Sequence, residues 1–551
     1  MKNRKNILFV FSALLVFSLS SANAQVSHGG EPLFNKSAVK VTVSQVTLTG
    51  IDNDVYLQQD MAMVKGAGPM RIGVMQYKEI DVLQSAKVMK DSKGTHYLLE
   101  VTSENATFIS LNFSSFNIPD GAEIFFYDRS GDFVLGAFNA SDVKDDGTFY
   151  IQSIPGSTVI VEYNVPDNQE PGELIIDRIC HGYKDIFVNE EFPGEGKGPH
   201  GDAEGDCHIN VACPEGDDWR DQIRSVVALE IWDQYYSYMC SGALVNNTNL
   251  DRTPYILTAF HCQEVETTVT NIIAYFLYQT NTCGGTSGFS NKSVTGATMV
   301  AKNSYNGGSD FLLLRLNSNI PDSYRPYYAG WDRSASGSNT VGSCIHHPGG
   351  DYKKISIPAA VGRLSGEYSA FFNVSWLLGS NNKGVTEQGS SGSPLFNANK
   401  QIIGQLFAGS SKCDDFSGTD LYGRFYTSWT GAGTNTTSLQ SWLDPIGSGV
   451  TKLDGLDYKD NDGIEGPRTV APKNLAVYPN PSNGMVRFDV SAIGDANYKV
   501  FDVNGRCVKE GRTILTTTEQ AVNLGSLPKG VYTMYLYTSN QSYVANIIIV
   551  K

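Results

Sequence analysis

Charge is scarce in this 551-residue chain, and it is unbalanced where it occurs. Charged residues make up 18%, and 57 acidic against 42 basic residues leave a formal charge of −15. Nucleic acid and anionic membranes are gripped by basic patches, so neither is expected as a partner. Long apolar runs are equally rare. The only extended one, Ile7 to Leu19, is shorter than the ~18 residues needed to cross a bilayer, so no membrane span is expected. No Cys-x-x-Cys pair occurs, and His208 beside Cys207 has poor ligand spacing, so no metal and no cofactor is expected. Histidine occurs eight times, and none follows His347. That shortage narrows the search for a catalytic base.

What is abundant points to exported β-structure: 55 glycines, 28 tyrosines and 11% aromatics. Lys2, Arg4 and Lys5 precede the apolar run, and Ala22-Asn23-Ala24 follows it with small-x-small spacing. Residues 1–24 are therefore expected to be a secretory signal, leaving Gln25 first. Export makes the nine cysteines candidates for disulfides: Cys180, Cys207, Cys213, Cys240, Cys262, Cys283, Cys344, Cys413 and Cys507. The odd total leaves at least one thiol unpaired.

The length exceeds one core, and about three domains are expected. Residues 25–200 read as a β-rich propeptide, with strands such as Glu123–Tyr127 and Thr158–Tyr163 separated by turn signals like Pro119-Asp120-Gly121. Its His96 reads as structural. From Glu190 to Asp206 a Gly/Pro/acidic run cannot build a core and reads as an exposed linker containing Lys197-Gly198. Residues 201–456 carry further strands, among them Tyr255–Thr258, Phe311–Leu316 and Ile402–Phe407, with a helix near Thr437–Leu443; their length suits one two-barrel domain. Residues 457–473 form a second polar linker. Its Asp460-Asn461-Asp462-Gly463 lacks the distal glutamate of a calcium loop. Strand alternation resumes over 474–551 and predicts a C-terminal β-sandwich.

The chemistry concentrates around Gly389-Ser390-Ser391-Gly392-Ser393-Pro394. A serine flanked by glycines on a tight loop suits an exposed nucleophile, with the N–H groups of Gly389 and Ser391 available to a developing oxyanion. Two places offer a base: His261, where a strand ends beside Cys262, and His346-His347, which read as a turn entry. A buried structural histidine is the alternative at both. Asp310 opens the apolar strand Phe311–Leu316, so its carboxylate needs a partner such as an imidazole N–H. The chain order His261, Asp310, Ser391 is that of one known Ser-His-Asp arrangement. An α/β-hydrolase needs a histidine after the serine and a Gly-x-Ser-x-Gly elbow, and both are missing.

Leu257-Thr258-Ala259-Phe260-His261-Cys262, Ser309-Asp310-Phe311 and Gly389 to Pro394 together resemble the bacterial lysyl endopeptidases, secreted members of the chymotrypsin-like serine proteases. Cys207 to Gly216, Cys240 to Asn247, Gly330-Trp331-Asp332-Arg333 and Tyr422-Gly423-Arg424 extend the resemblance over roughly residues 205–456. The resemblance implies an all-β double-barrel protease domain with His261 as general base, Asp310 as its orienting acid and Ser391 as nucleophile. Gly389 and Ser391 would supply the oxyanion hole. It implies the disulfides Cys207–Cys413, Cys213–Cys283 and Cys240–Cys262. It also places Asp420, shortly before Tyr422-Gly423-Arg424, in a pocket selecting lysine; Asp414 and Asp415 are rivals that look more like loop surface.

Two departures stand out. Phe407 occupies the place of a histidine that stacks on a tryptophan in that family, and the tryptophan has no evident counterpart before Phe371. Ser390 replaces the aspartate that pairs with a new N-terminus in trypsin, so activation is expected to come from removing the N-terminal domain as a steric block or folding aid. At the other end, Tyr478-Pro479-Asn480-Pro481-Ser482-Asn483-Gly484 with a late Gly530-Val531-Tyr532 strand resembles a type IX secretion sorting domain. The resemblance implies passage to the cell surface or medium, with the secretion machinery as a partner. The expected protein is thus a secreted endopeptidase cleaving peptides after lysine. Its alternatives are arginine or mixed basic specificity, or a non-catalytic surface adhesin on a protease scaffold.

Overall fold

The computed structural model describes residues 27–34, 43–62, 68–187, 207–263, 271–285, 291–335, 341–378, 383–459, 473–490, 494–502, 507–515, 520–538 and 542–550. The expected signal at 1–24, the 190–206 linker with Lys197-Gly198, and Asp460 to Gly463 lie outside them. Two compact units are present: residues 1–248 with 253–453, and residues 249–252 with 454–551.

The N-terminal region is built on β1 (Ser44–Leu48), β2 (Met70–Asp81), β3 (Gly94–Ser103), β4 (Phe108–Asn117), β5 (Glu123–Tyr127), β6 (Thr158–Val165) and β7 (Glu173–Gly182). One sheet runs β1-β3-β6-β5 and a second runs β2-β7-β4. Alternate residues of each point inward, so Leu99, Val101 and Val161 meet Leu111, Phe113 and Ile176 in a shared core. A helix, α1 (Asn53–Ala62), precedes β2. It buries no residue, so no apolar stripe announces it in the sequence.

Two strands open the first of two barrels: β8 (Val226–Trp232) and β9 (Tyr236–Leu244). β2 pairs directly with β9, Ser237 opposite Gly73 and Met239 opposite Met70. The N-terminal region therefore shares a continuous sheet with the barrel and is not packed as a separate body. The shared surface is apolar: Met70, Ile72, Phe108 and Cys180 cluster with Trp232, Met239 and Tyr275. At its heart Glu230 is fully buried. Its carboxylate accepts from Ser153 Oγ (2.9 Å), Trp232 Nε1 (2.8 Å), Ser237 Oγ (2.9 Å) and Tyr275 OH (2.5 Å). Four donors satisfy a group that would otherwise be costly to desolvate.

The barrel continues with β10 (Tyr255–Ala259), β11 (Ile272–Tyr275) and β12 (Phe311–Leu316). β9 pairs with β8 and β10, β8 with β11, and β10 with β12. The second barrel comprises β13 (Val341–His346), β14 (Lys354–Ser356), β15 (Phe371–Ser375), β16 (Pro394–Asn397), β17 (Ile402–Gly409) and β18 (Thr419–Arg424), paired in the order β14-β13-β16-β17-β18-β15. After it come helices α2 (Phe425–Thr430) and α3 (Gln440–Leu443), the latter within the stretch expected to be helical. Trp331 is wholly buried against Phe425 and Trp429, with centroids 5.7 and 4.7 Å away.

The second unit carries β19 (Met485–Phe488), β20 (Gly494–Phe501), β21 (Gly530–Thr538) and β22 (Ser542–Ile549). β21 lies between β20 and β22, and β19 belongs to a second small sheet. Val486, Phe488, Val500, Met534 and Ile547 fill the space between them. Among the described residues no helix is long and apolar enough to cross a membrane.

Candidate active site

Strand pairing brings His261 and Asp310 together. β10 ends at Ala259, opposite Phe311 at the start of β12. One step beyond that register, Phe260 N–H donates to the Asp310 carbonyl (2.9 Å). The short turn Phe260–Gln263 then holds His261 over Asp310. His261 N–H donates to Asp310 Oδ1 (3.1 Å), and Nδ1 lies 2.7 Å from Oδ2. Asp310 is fully buried. An ionised carboxylate only accepts, so Nδ1 carries the proton and Nε2 is left as the basic nitrogen.

The serine loop is tied to the same strands. Ser241 N–H donates to the Ser391 carbonyl (2.8 Å), and Gly392 N–H donates to the Leu406 carbonyl (2.9 Å). Cys240, one residue before Ser241, is disulfide-bonded to Cys262, one residue after His261. Gly392 has φ +81°, and a Cβ there would lie 2.1 Å from Thr258 Oγ1 and 2.4 Å from the Ser241 carbonyl oxygen. Only glycine allows the loop to sit this close to β9 and β10.

The two amides expected to hold an oxyanion have their peptide planes set from behind. In a trans peptide the C=O and N–H point in opposite directions. Gln388 O accepts from Gly349 N–H (2.6 Å) and Ser390 O from Ser393 N–H (2.9 Å), so the following N–H groups, of Gly389 and Ser391, face the other way. Among the described residues neither N–H donates a backbone hydrogen bond.

Of the three candidate acids for the specificity pocket, only Asp420 is buried. Oδ2 accepts from Trp376 Nε1, Thr386 Oγ1 and Ser411 Oγ, each at 2.6 Å, and Oδ1 accepts from Ser411 N–H (3.2 Å). Burial raises its pKa, and these donors pull against that rise. Across the β17–β18 pair it faces Gly409, where a Cβ would lie 1.9 Å from Oδ1. Asp414 and Asp415 are exposed, and Asp415 caps its own loop through Ser417. Trp376, Thr386 and Ser411 escaped sequence reading, because a donor to a buried carboxylate has no local pattern.

Phe407 is stacked after all, on different partners. Its ring lies 5.2 Å from Tyr305 and 5.1 Å from Phe371, with the His261 ring 5.9 Å away edge-on. Trp376, after Phe371, donates instead to Asp420. The structure joins Cys207 to Cys413, Cys213 to Cys283 and Cys240 to Cys262, and Cys180 and Cys344 are buried free thiols. Cys207, His208 and Cys413 lie close together, but the two sulfurs are bonded to each other. His96 and His181 serve the N-terminal core, bonding Asn164 (2.7 Å) and Ser103 (2.7 Å).

Two adjoining β-barrels with this site between their strands are the architecture of the chymotrypsin-like serine proteases. Residues 201–423 match the family "Lysyl endopeptidase, C-terminal domain", and residues 476–550 match "Secretion system C-terminal sorting domain". The central region is thus similar to the lysyl endopeptidases, and the match to a sorting domain marks the protein as secreted or cell-surface. It is 29% identical over 320 residues to the lysyl endopeptidase of Pseudomonas aeruginosa, an alignment covering 55% of this chain and 66% of that protein. Among solved structures it is similar to a thermostable serine protease AL20 from an extremophilic microorganism, at 12% identity and TM-score 0.29, covering 41% of this chain and 98% of that one. A Glu endopeptidase aligns at 19% identity and TM-score 0.27, covering 40% and 92%.

Proposed function

We propose that this protein is a secreted endopeptidase that cleaves peptide bonds after lysine. Ser391 Oγ attacks the scissile carbonyl as His261 Nε2 takes its proton. Asp310 holds the imidazole in the required tautomer and stabilises the imidazolium that forms. Negative charge developing on the carbonyl oxygen is received by Gly389 and Ser391 N–H. His261 then protonates the leaving amine, and water releases the acyl-enzyme by the reverse sequence.

The observation that carries the reaction is the 2.7 Å contact of His261 Nδ1 with buried Asp310, which commits Nε2 as base. For the substrate it is the burial of Asp420. A desolvated carboxylate rewards a cationic side chain and penalises a neutral one. The sorting domain supplies contact with the secretion machinery.

Turnover of matched fluorogenic peptides ending in lysine, arginine or a neutral residue, by processed wild type and Ser391→Ala, tests this. Lysine peptides are expected to be cleaved fastest, and only by wild type. Equal turnover of arginine peptides would replace lysine with general basic specificity. No turnover of any peptide would favour the adhesin.

A further inference from the structure

Trypsin holds its oxyanion loop with an aspartate that pairs with a freed N-terminal ammonium. Here that position is Ser390, a neutral residue, and it is fully buried. Its hydroxyl oxygen lies 2.7 Å from His346 Nδ1 and accepts from Glu387 N–H (3.2 Å). His346 is also fully buried, and its Nε2 lies 2.9 Å from Ser356 Oγ. Ser356 Oγ in turn donates to the Val385 carbonyl (3.0 Å).

One proton arrangement satisfies all four groups. The hydroxyl hydrogen of Ser356 is committed to Val385, so Ser356 Oγ accepts and His346 Nε2 must donate. A neutral imidazole then has Nδ1 as acceptor, and Ser390 Oγ–H donates to it. The neutral form is the one the site favours: burial pushes the His346 pKa well below its ordinary value, and His208, His347 and Lys354 push the same way. The relay ties β13 and β14 to the 385–390 segment at both of its ends. The next residue extends the hold. His347 N–H donates to Ser241 Oγ (3.0 Å), and Ser241 Oγ donates to the Gly389 carbonyl (2.9 Å).

We infer that His346 is a positioning residue for catalysis, holding the oxyanion loop in its working shape through Ser390 in place of a charge switch. The inference rests on Ser391 being the nucleophile. It means that the loop is formed while the N-terminal domain is still attached, so no new N-terminal ammonium is required to build it.

The test compares wild type, Ser390→Ala, His346→Leu, His346→Asn and Ser391→Ala, made as full-length chains, on a lysyl peptide substrate and a peptidyl-lysine aldehyde. The hemiacetal oxygen of the bound aldehyde needs the oxyanion hole. Losing one oxyanion donor outright costs ~100- to 1,000-fold in kcat, so loosening the loop is expected to cost ~10- to 100-fold in Ser390→Ala and His346→Leu. KM is expected to stay within ~3-fold, with aldehyde affinity falling in parallel with kcat/KM. A further variant carrying both Ser390→Ala and His346→Leu is expected to be no worse than the poorer single one, because both break one relay. His346→Asn, whose Oδ1 can accept from Ser390, is expected to recover most of the loss.

A Ser390→Ala enzyme with wild-type kcat and aldehyde affinity would overturn the inference, provided that Ser391→Ala is inactive. So would a loss carried by KM, or one that His346→Asn fails to recover while its melting temperature is normal. If His346→Leu does not fold, Ser390→Ala decides alone. If Ser391→Ala keeps turning over substrate, the nucleophile assignment falls and this inference falls with it.

Discussion

The Cβ that Gly392 lacks would lie 2.1 Å from Thr258 Oγ1. That contact measures how closely the serine loop is pressed onto the strand that leads to His261. Gly392→Ala is expected to force the loop off β10, since the neighbouring Ser241 backbone and the β10 strand cannot yield. Overpacking and the positive φ together predict a loss of ~3 kcal/mol or more in stability. Denaturant unfolding checks the stability, and acylation by an active-site serine reagent checks the geometry.

Asp310→Asn is expected to lower kcat by ~10,000-fold with little change in KM. The asparagine amide can donate to Nδ1, which moves the imidazole proton to Nε2 and removes the base. Steady-state kinetics from pH 6 to 10 checks this; a modest loss across that range would mean that Asp310 does not set the tautomer.

Asp420→Asn leaves donors from Trp376, Thr386 and Ser411 facing an amide that is itself part donor. For lysyl peptides kcat/KM is expected to fall ~100-fold or more, against little change for neutral ones. Profiling the products of a peptide library before and after the substitution reads the shift directly. An unchanged lysine preference would remove Asp420 from the pocket.

His347 gives a pH dependence whose sign follows from its burial. Desolvation, aided by Lys353 and opposed by its bond to the Asp351 carbonyl, lowers its pKa from 6.5 to about 3. The native state therefore keeps it neutral while the unfolded chain takes up a proton between those values. Its contribution is intact above the unfolded pKa and is lost as pH falls towards the folded one, at ~1.4 kcal/mol per pH unit. His347→Phe keeps the ring that stacks on Tyr278 at 5.5 Å but cannot be protonated. Its stability relative to wild type is expected to rise as pH drops below ~6.5. Melting temperatures of both proteins from pH 4 to 8 provide the comparison.

Self-processing at Lys197-Gly198 is the remaining proposal. Wild type is expected to yield a mature N-terminus at Gly198, with Ser391→Ala left uncleaved. Identical N-termini from both would assign the cut to another protease. In the structure, the contacts of the N-terminal domain fall on β9, Glu230, Tyr275 and the Tyr278–Gly350 region, where the Tyr278 hydroxyl donates to the Ile186 carbonyl. Those contacts suit a folding aid, because they add a strand beside β9 and give buried Glu230 and Tyr275 hydrogen-bond partners. After cleavage the domain is therefore expected to stay bound until it is itself digested, which size-exclusion chromatography of freshly cleaved protein reads.

The candidate motifs were legible because each is a short run whose local chemistry is unusual: a serine between glycines, a histidine next to a cysteine at a strand end, an acid opening an apolar strand. Their order along the chain excluded the hydrolase elbow. Most strands were legible from alternation, and Asp420 was singled out only by the resemblance to the lysyl endopeptidases. α1 was not, since it buries nothing and so leaves no periodic apolar trace. The partners of Phe407 were not either, because Tyr305 and Phe371 are remote in sequence and stacking has no spacing rule.

By itself, then, the amino-acid sequence determined the candidates: one glycine-flanked serine loop, two places for a histidine base, an acid opening an apolar strand, and three acids near Tyr422-Gly423-Arg424. Only the tertiary structure decided how those groups are held. The seam between β2 and β9, the four donors on Asp420, and the chain from Ser390 through His346 to Ser356 join residues far apart in sequence. Desolvation is the reason for each. A buried polar group must find its partner wherever the fold places one, and that choice is made by packing in three dimensions, not by neighbours along the chain.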